Sequence, residues 1–386
     1  MTQDIVVTPP SADPLPPNRR TALGIMAGFA AVGLAGSLLG AGLLNPPAST
    51  ADGDYAGETV KFLIPLAEGG GTDTWARFIG TALTRRLPGQ PGFAPVNEAG
   101  GEGITGTNHF VTSARSDGTE VLVSTATTVV PWLLKKPAVR YDFTKLTPIL
   151  ANGTGAVVYA RSAAGVSGLT DLKDRPAPLK FGGITATGLD LTTLLAFDLL
   201  DMDVDAVFGF EGRGPVNLAL QRGEIDIDYT TTSTYASAVK PLVEDKSAVA
   251  LFSLGQLDAS GEVVRDPNFK DLPTVVEAYE QMYGKAPSGP KLAAYKTVLG
   301  VTYTFQKALW VPADSPPEAT ALLRTTSEKL GQDKAFIDSA TKVLGGYPID
   351  AGADLAQRIN KAYSVDATVH RHVVDLLKNS YQIHVK

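Results

Sequence analysis

Beyond residue 55 the chain alternates short apolar runs with segments whose apolar residues recur at helical spacing. Thr59-Val60-Lys61-Phe62-Leu63-Ile64-Pro65 predicts a strand, and Trp75, Phe78, Ile79, Ala82 and Leu83 then share one helix face. Between them lies Glu68-Gly69-Gly70-Gly71-Thr72-Asp73. A second unit repeats the design: strand 93–97, loop Ala99-Gly100-Gly101-Glu102-Gly103, and a helix running through His109 to Ser113. Residues 120–124 predict a third strand. After Asn152-Gly153-Thr154-Gly155 a new set begins, with strands at 180–184, 207–210 and 224–229 and helices at 189–200 and from Pro215 to Leu220. Residues 281–292, polar and bearing Pro and Gly, read as an insertion or surface excursion. Residues 309–312 predict a strand returning to the first set, followed by helices near 316–330, 333–344 and 352–380. The rhythm is that of βαβ units, so the expected fold class is α/β with a largely parallel sheet.

Length divides this pattern. A chain of 386 residues exceeds the size at which one core keeps growing. Two lobes are expected, one from residues 55–155 plus 305–386 and the other from 156–304. Residues 1–54 stand apart, because Arg19-Arg20 precede 24 uncharged residues, 21–44, that contain six Gly. Asn18-Arg19-Arg20-Thr21-Ala22-Leu23 loosely matches a twin-arginine export signal, cleaved between Ala48 and Asp54; the alternative is a retained membrane anchor. Either reading puts the remainder outside the cytoplasm, in the periplasm or on the outer face of the membrane. A net charge of −6 with no basic stripe excludes nucleic acid as a partner. Without Cys the chain has no disulfide, thiolate metal site or Cys nucleophile.

Candidate chemistry lies in the loops. Two tandem strand–Gly-loop–helix units bring helix N-termini, with unpaired N–H groups and positive dipole ends, to one sheet edge, which suits an anion. The candidate contacts there are Gly70, Gly71, Thr72 and Asp73 in the first loop, Gly101, Gly103 and Ile104 in the second, and Ser124 and Thr125 at the third strand's end. Thr185, Thr187 and Asp228 are the candidates from the second lobe, closing a ligand cleft between the two. The plainer alternatives are tight turns with ordinary N-caps and, for Asp228, the solvated face of a strand. Nothing catalytic accompanies these loops. There is no G-x-x-x-x-G-K-[ST], no dinucleotide fingerprint, no G-x-S-x-G and no H-E-x-x-H. Ser237-Ala238-Val239-Lys240 matches S-x-x-K, but the companion signatures are missing. His370 and His372 stand two apart and do not share a helix face. The expectation is a binding protein with no enzymatic activity, no cofactor and no metal.

Residues 65–73, residues 97–106, Asp117-Gly118-Thr119-Glu120-Val121-Leu122, Asp271-Leu272-Pro273-Thr274-Val275 and Val311-Pro312-Ala313 resemble the substrate-binding proteins of tripartite tricarboxylate transporters, the Bug type. The resemblance implies a type II periplasmic-binding fold, two lobes joined by crossing strands, and a ligand carboxylate gripped by the two Gly-rich loops, partly through waters. It also implies membrane transporter subunits as partners for a monomeric receptor; a ligand-sensing module that signals to a membrane receptor is the alternative. Two departures bear on the ligand. Glu68 stands where such proteins usually have Pro, and Glu98-Ala99 where they often have Arg-Pro. Glu68, Asp73, Glu98 and Glu102 would repel an incoming carboxylate unless they point away, cap helices or meet a cation. A tricarboxylate is therefore disfavoured. An amino acid, with Asp228 as partner for its amine, an amide or an aromatic monocarboxylate fits the charges as well.

Overall fold

A computed structural model describes residues 53–385, apart from Glu211 and Ala259. The export segment read at residues 1–54 lies, but for its last two positions, outside the described residues. In chain order the strands are β1 (Thr59–Ile64), β2 (Gly92–Asn97), β3 (Glu120–Thr125), β4 (Leu146–Asn152), β5 (Ala156–Arg161), β6 (Leu179–Gly182), β7 (Val204–Val207), β8 (Ile227–Thr231), β9 (Ala248–Ser253), β10 (Gln256–Leu257), β11 (Val263–Val264), β12 (Lys307–Pro312) and β13 (Ile349–Asp350). The helices are α1 (Gly71–Thr84), α2 (Ile104–Ser113), α3 (Ala126–Leu133), α4 (Asp190–Leu199), α5 (Arg213–Arg222), α6 (Thr232–Ala238), α7 (Lys240–Glu244), α8 (Val275–Tyr283), α9 (Pro290–Leu299), α10 (Pro317–Gln332), α11 (Lys334–Leu344), α12 (Leu355–Tyr363) and α13 (Ala367–Tyr381).

Two sheets carry the architecture. The larger has the order β13-β4-β12-β3-β1-β2 and the smaller β7-β6-β8-β5-β9. β1 pairs in parallel with β2 and β3, whereas β12 runs antiparallel between β3 and β4. In the smaller sheet β6 is parallel to β7 and β8, and β5 is antiparallel to β8 and β9. Both sheets are thus mixed, a correction to the largely parallel expectation. The returning strands enter each sheet from the opposite end, which spacing alone does not reveal.

Strand alternation sorts the core. Phe62, Ile64, Val121, Val123, Leu309 and Val311 pack with Trp75 and Ile79 beneath α1 and with Leu323 of α10. Leu63, Leu122, Ala308 and Trp310 face the other way, toward Phe110 of α2 and Val129 of α3. The sheets are joined where β4 runs into β5 and where the chain returns to β12. Those two crossings are tied by Thr154 N–H donating to the Tyr303 carbonyl at 2.9 Å.

Two other expectations need correction. The strand read at 207–210 ends at Val207, where β7 meets Gly209 with φ +104° and the chain turns. Residues 281–292 hold the end of α8, a short turn and the start of α9, and are mostly exposed. Gly284 in the left-handed C-cap and Pro290 at the first turn of α9 are helix-end signals that imitate loop composition. The span 352–380 is two helices, the second capped by Asp366 accepting from Thr368 N.

Candidate functional site

β1, β2 and β3 each end at the same edge of the larger sheet and feed α1, α2 and α3. The loops between them interlock. A Cβ on Gly103, whose φ is +90°, would lie 2.8 Å from Thr128 Cγ2 and 3.2 Å from the Pro65 carbonyl oxygen, so the first two loops and the start of α3 meet there. In the first loop Gly69 carries the positive φ of +77°, while Gly70 is an N-cap with ordinary φ. Among the described residues, no atom beyond its chain neighbours and the backbone of its own helix lies within 4 Å of the point a Cβ on Gly71 would occupy.

The acidic residues that threatened an anion site are answered one by one. Asp73 is buried, which by itself raises its pKa, yet hydrogen bonds from Gly69 N, Asn97 Nδ2 and Arg77 hold the carboxyl below the usual range. Arg77 also lies 3.9 Å from Glu68 and donates to Asn97 Oδ1 at 2.9 Å. Glu98 meets His109 Nδ1 at 2.6 Å. Glu102, at φ +61°, reaches Lys136 Nζ at 3.2 Å.

Glu102 also crosses to the smaller sheet. Thr185 Oγ1, on the loop after β6, donates to Glu102 Oε1 at 3.0 Å, and Lys136 Nζ donates to Thr187 Oγ1 at 2.7 Å. Gly188 on the same loop lies against Thr127, at the first turn of α3. A cavity of about 320 Å³ opens beside this bridge, lined by Glu102, Lys136, Thr185, Thr187, Phe208 and His384 among others.

Eleven of the twelve predicted contacts fall into three groups. Gly70 N-caps α1, whose first turn holds Gly71, Thr72 and Asp73, and the turn Gly101–Gly103 leads into Ile104 at the start of α2. Ser124 and Thr125 end β3, where Ser124 Oγ accepts from Trp310 Nε1 at 2.7 Å and Thr125 N-caps α3. Thr185 and Thr187 face Glu102 and Lys136 across the gap. Asp228 stands apart from all of these. It is neither solvated nor open to an amine, since it is buried with Oδ1 on Arg213 Nη1 at 2.6 Å and Oδ2 on Tyr159 OH at 2.9 Å. Burial raises its carboxyl to about 7, against the lowering pull of Arg213 and Tyr159. Arg213 also lies 3.3 Å from Asp190 and 4.3 Å from the Tyr229 ring centroid. Asp190 in turn accepts from Ile184 N and Thr185 N, so this buried cluster holds the Thr185 loop from below.

Sequence reasoning missed Arg77, Asn97, Lys136 and Lys307. The last opens β12, opposite both Thr125 and Asn152, and burial lowers its ammonium to about 8. A lysine opening an otherwise apolar buried strand was the available signal. Among the described residues no cluster of His, Cys, Asp and Glu could hold a metal ion, and no helix is long and apolar enough to cross a membrane.

No protein-family model matches the chain, and no curated protein matches it. Solved structures do match. A TctC solute-binding protein from Polaromonas superposes with TM-score 0.60 at 17% identity, covering 83% of this chain and 99% of its own. MatC from Rhodopseudomonas palustris, with bound malate, gives 0.57 at 21% identity over 82% of this chain and 99% of its own. A second R. palustris protein, with adipate, gives 0.59 at 20% identity over 85% and 99%. At such identities the likeness establishes the fold: a two-sheet α/β architecture of the type II periplasmic-binding class.

Proposed function

We propose that this protein is an extracytoplasmic solute receptor of the tripartite tricarboxylate transporter type. It captures a small organic acid between a lobe of residues 55–155 plus 305–386 and a lobe of residues 156–304, performs no chemistry on it, and delivers it to membrane transporter subunits. The observation that carries this reading is the contact of Glu102 and Lys136, beside the larger sheet, with the Thr185–Thr187 loop of the smaller one, together with the paired crossings at Thr154 and Tyr303. A cleft built from loops of two sheets on a two-strand hinge captures a ligand by closing. The malate and adipate bound by proteins of this fold make small carboxylates the first ligands to test.

A thermal-shift screen against mono-, di- and tricarboxylates, amino acids and amides tests this. A ligand at about 100 times its Kd stabilises by roughly 2.7 kcal/mol, a shift of several degrees. Gly70→Val should abolish that shift while leaving the apo circular dichroism unchanged, because the backbone there has φ −76° and the nearest atom to the added Cβ is the Ala67 oxygen at 3.6 Å. Retained affinity in this variant would remove the first loop from the site. No stabilisation by any solute class would end the receptor reading.

A further inference from the structure

We propose that Lys307 is the cation that receives the ligand carboxylate, and that it makes the receptor selective for acids bearing a single negative charge. This rests on the receptor reading above and adds a residue and a charge rule to it.

Topology puts Lys307 at the site. Because β12 runs antiparallel between β3 and β4, its first residue is level with their last: Lys307 pairs with Thr125 on one side and Asn152 on the other. Leu309 and Val311 belong to the core beneath α1, and Ala308 and Trp310 to the opposite face. Alternation therefore sets Lys307 on the α1 side. Asn152 accepts Trp75 Nε1 at 3.0 Å, which fixes the first turns of α1 over the same strand ends. The N-terminus of α1 adds its own positive end there, with Gly70 offering no side-chain cap.

Charge accounting sets Lys307 apart. Its Nζ hydrogen-bonds Gln306 Oε1, a neutral acceptor, and among the described residues no carboxylate pairs with it. Burial is the only cause of its lowered pKa. A half-buried ammonium without a counter-ion is costly, and a ligand carboxylate removes that cost. The neighbouring cations are committed: Arg77 to Asp73 and Glu68, and Lys136 to Glu102. A second carboxylate on the ligand would find these neighbouring cations already paired.

The test is calorimetric titration of the full chain and of Lys307→Met with adipate, monomethyl adipate, hexanoate and hexanamide. The wild type should bind monomethyl adipate and hexanoate more tightly than adipate. Lys307→Met should weaken both monoanions about 10- to 100-fold, the range for a hydrogen bond to a charged group. Its apo melting temperature should not fall, since Met removes an uncompensated charge. Unchanged affinity in the variant would overturn the role of Lys307 while leaving the receptor reading intact. Tighter binding of adipate than of its monomethyl ester would overturn the single-charge rule. Binding of hexanamide alone would keep a receptor and dismiss Lys307, whereas a fall in apo melting temperature with affinity retained would make the lysine structural.

Discussion

Arg213 and Lys307 are two half-buried cations with opposite surroundings, one at the start of α5 against the smaller sheet and the other opening β12 of the larger. Arg213 sits between Asp190 and Asp228 with its guanidinium over Tyr229, so carboxylates outnumber it two to one. Among the described residues Lys307 has only the amide of Gln306. A cation already surrounded by acid is part of the scaffold: through Asp190 it fixes the backbone of Ile184 and Thr185. A cation without acid carries a standing electrostatic deficit, and that deficit can be relieved from outside. On the proposed reading, the contrast separates a group that shapes a binding loop from one that addresses the bound molecule.

The strongest way to break this comparison is Arg213→Met. It leaves two buried carboxylates without a cation and should cost about 3–5 kcal/mol, a fall in melting temperature on the order of 10 °C. A loss below 2 °C would show that the cluster is not the scaffold described. Lys307→Met should move stability the other way, by about 1 kcal/mol in urea unfolding of the apo protein. Asp228→Asn sharpens the first half, because Arg213 keeps Asp190; a loss of about 1 kcal/mol is expected by the same measurement. The smallest effect concerns pH. The folded Asp228 carboxyl is raised to about 7, above its unfolded value near 4. Its contribution to stability is therefore full below about pH 4 and lost as pH rises toward 7. Melting curves between pH 4 and 7 should show a decline that is shallower in Asp228→Asn.

The α/β rhythm and the two Gly-rich loops were legible because each is local: a strand of period two, a glycine turn and a helix of period 3.6 follow within about 25 residues. β1 matches its predicted span apart from Pro65, and α1 carries its predicted face inward. Lys307 was not legible, because its meaning depends on β12 inserting between strands that lie more than 150 residues earlier in the chain. Asp228 misled for a related reason. Alternating Ile and Asp suggests one wet face, yet α5 covers that face of the smaller sheet, and Arg213 reaches in from its first turn. The acids of the loops read as a repulsive ring for the same cause: Arg77 and Lys136, their partners, sit a helical turn or a whole element away.

The bridge from Glu102 to Thr185 and Thr187 also makes the molecule a ready optical instrument. The chain contains no Cys, so a single thiol at Glu102 and another at Thr185 would be the only sites for thiol-directed dyes. A donor and acceptor at those positions would sit on opposite sides of the cleft, on loops held by different sheets. On the proposed reading, their energy transfer would report closure on a ligand in real time, making the protein a reagentless biosensor.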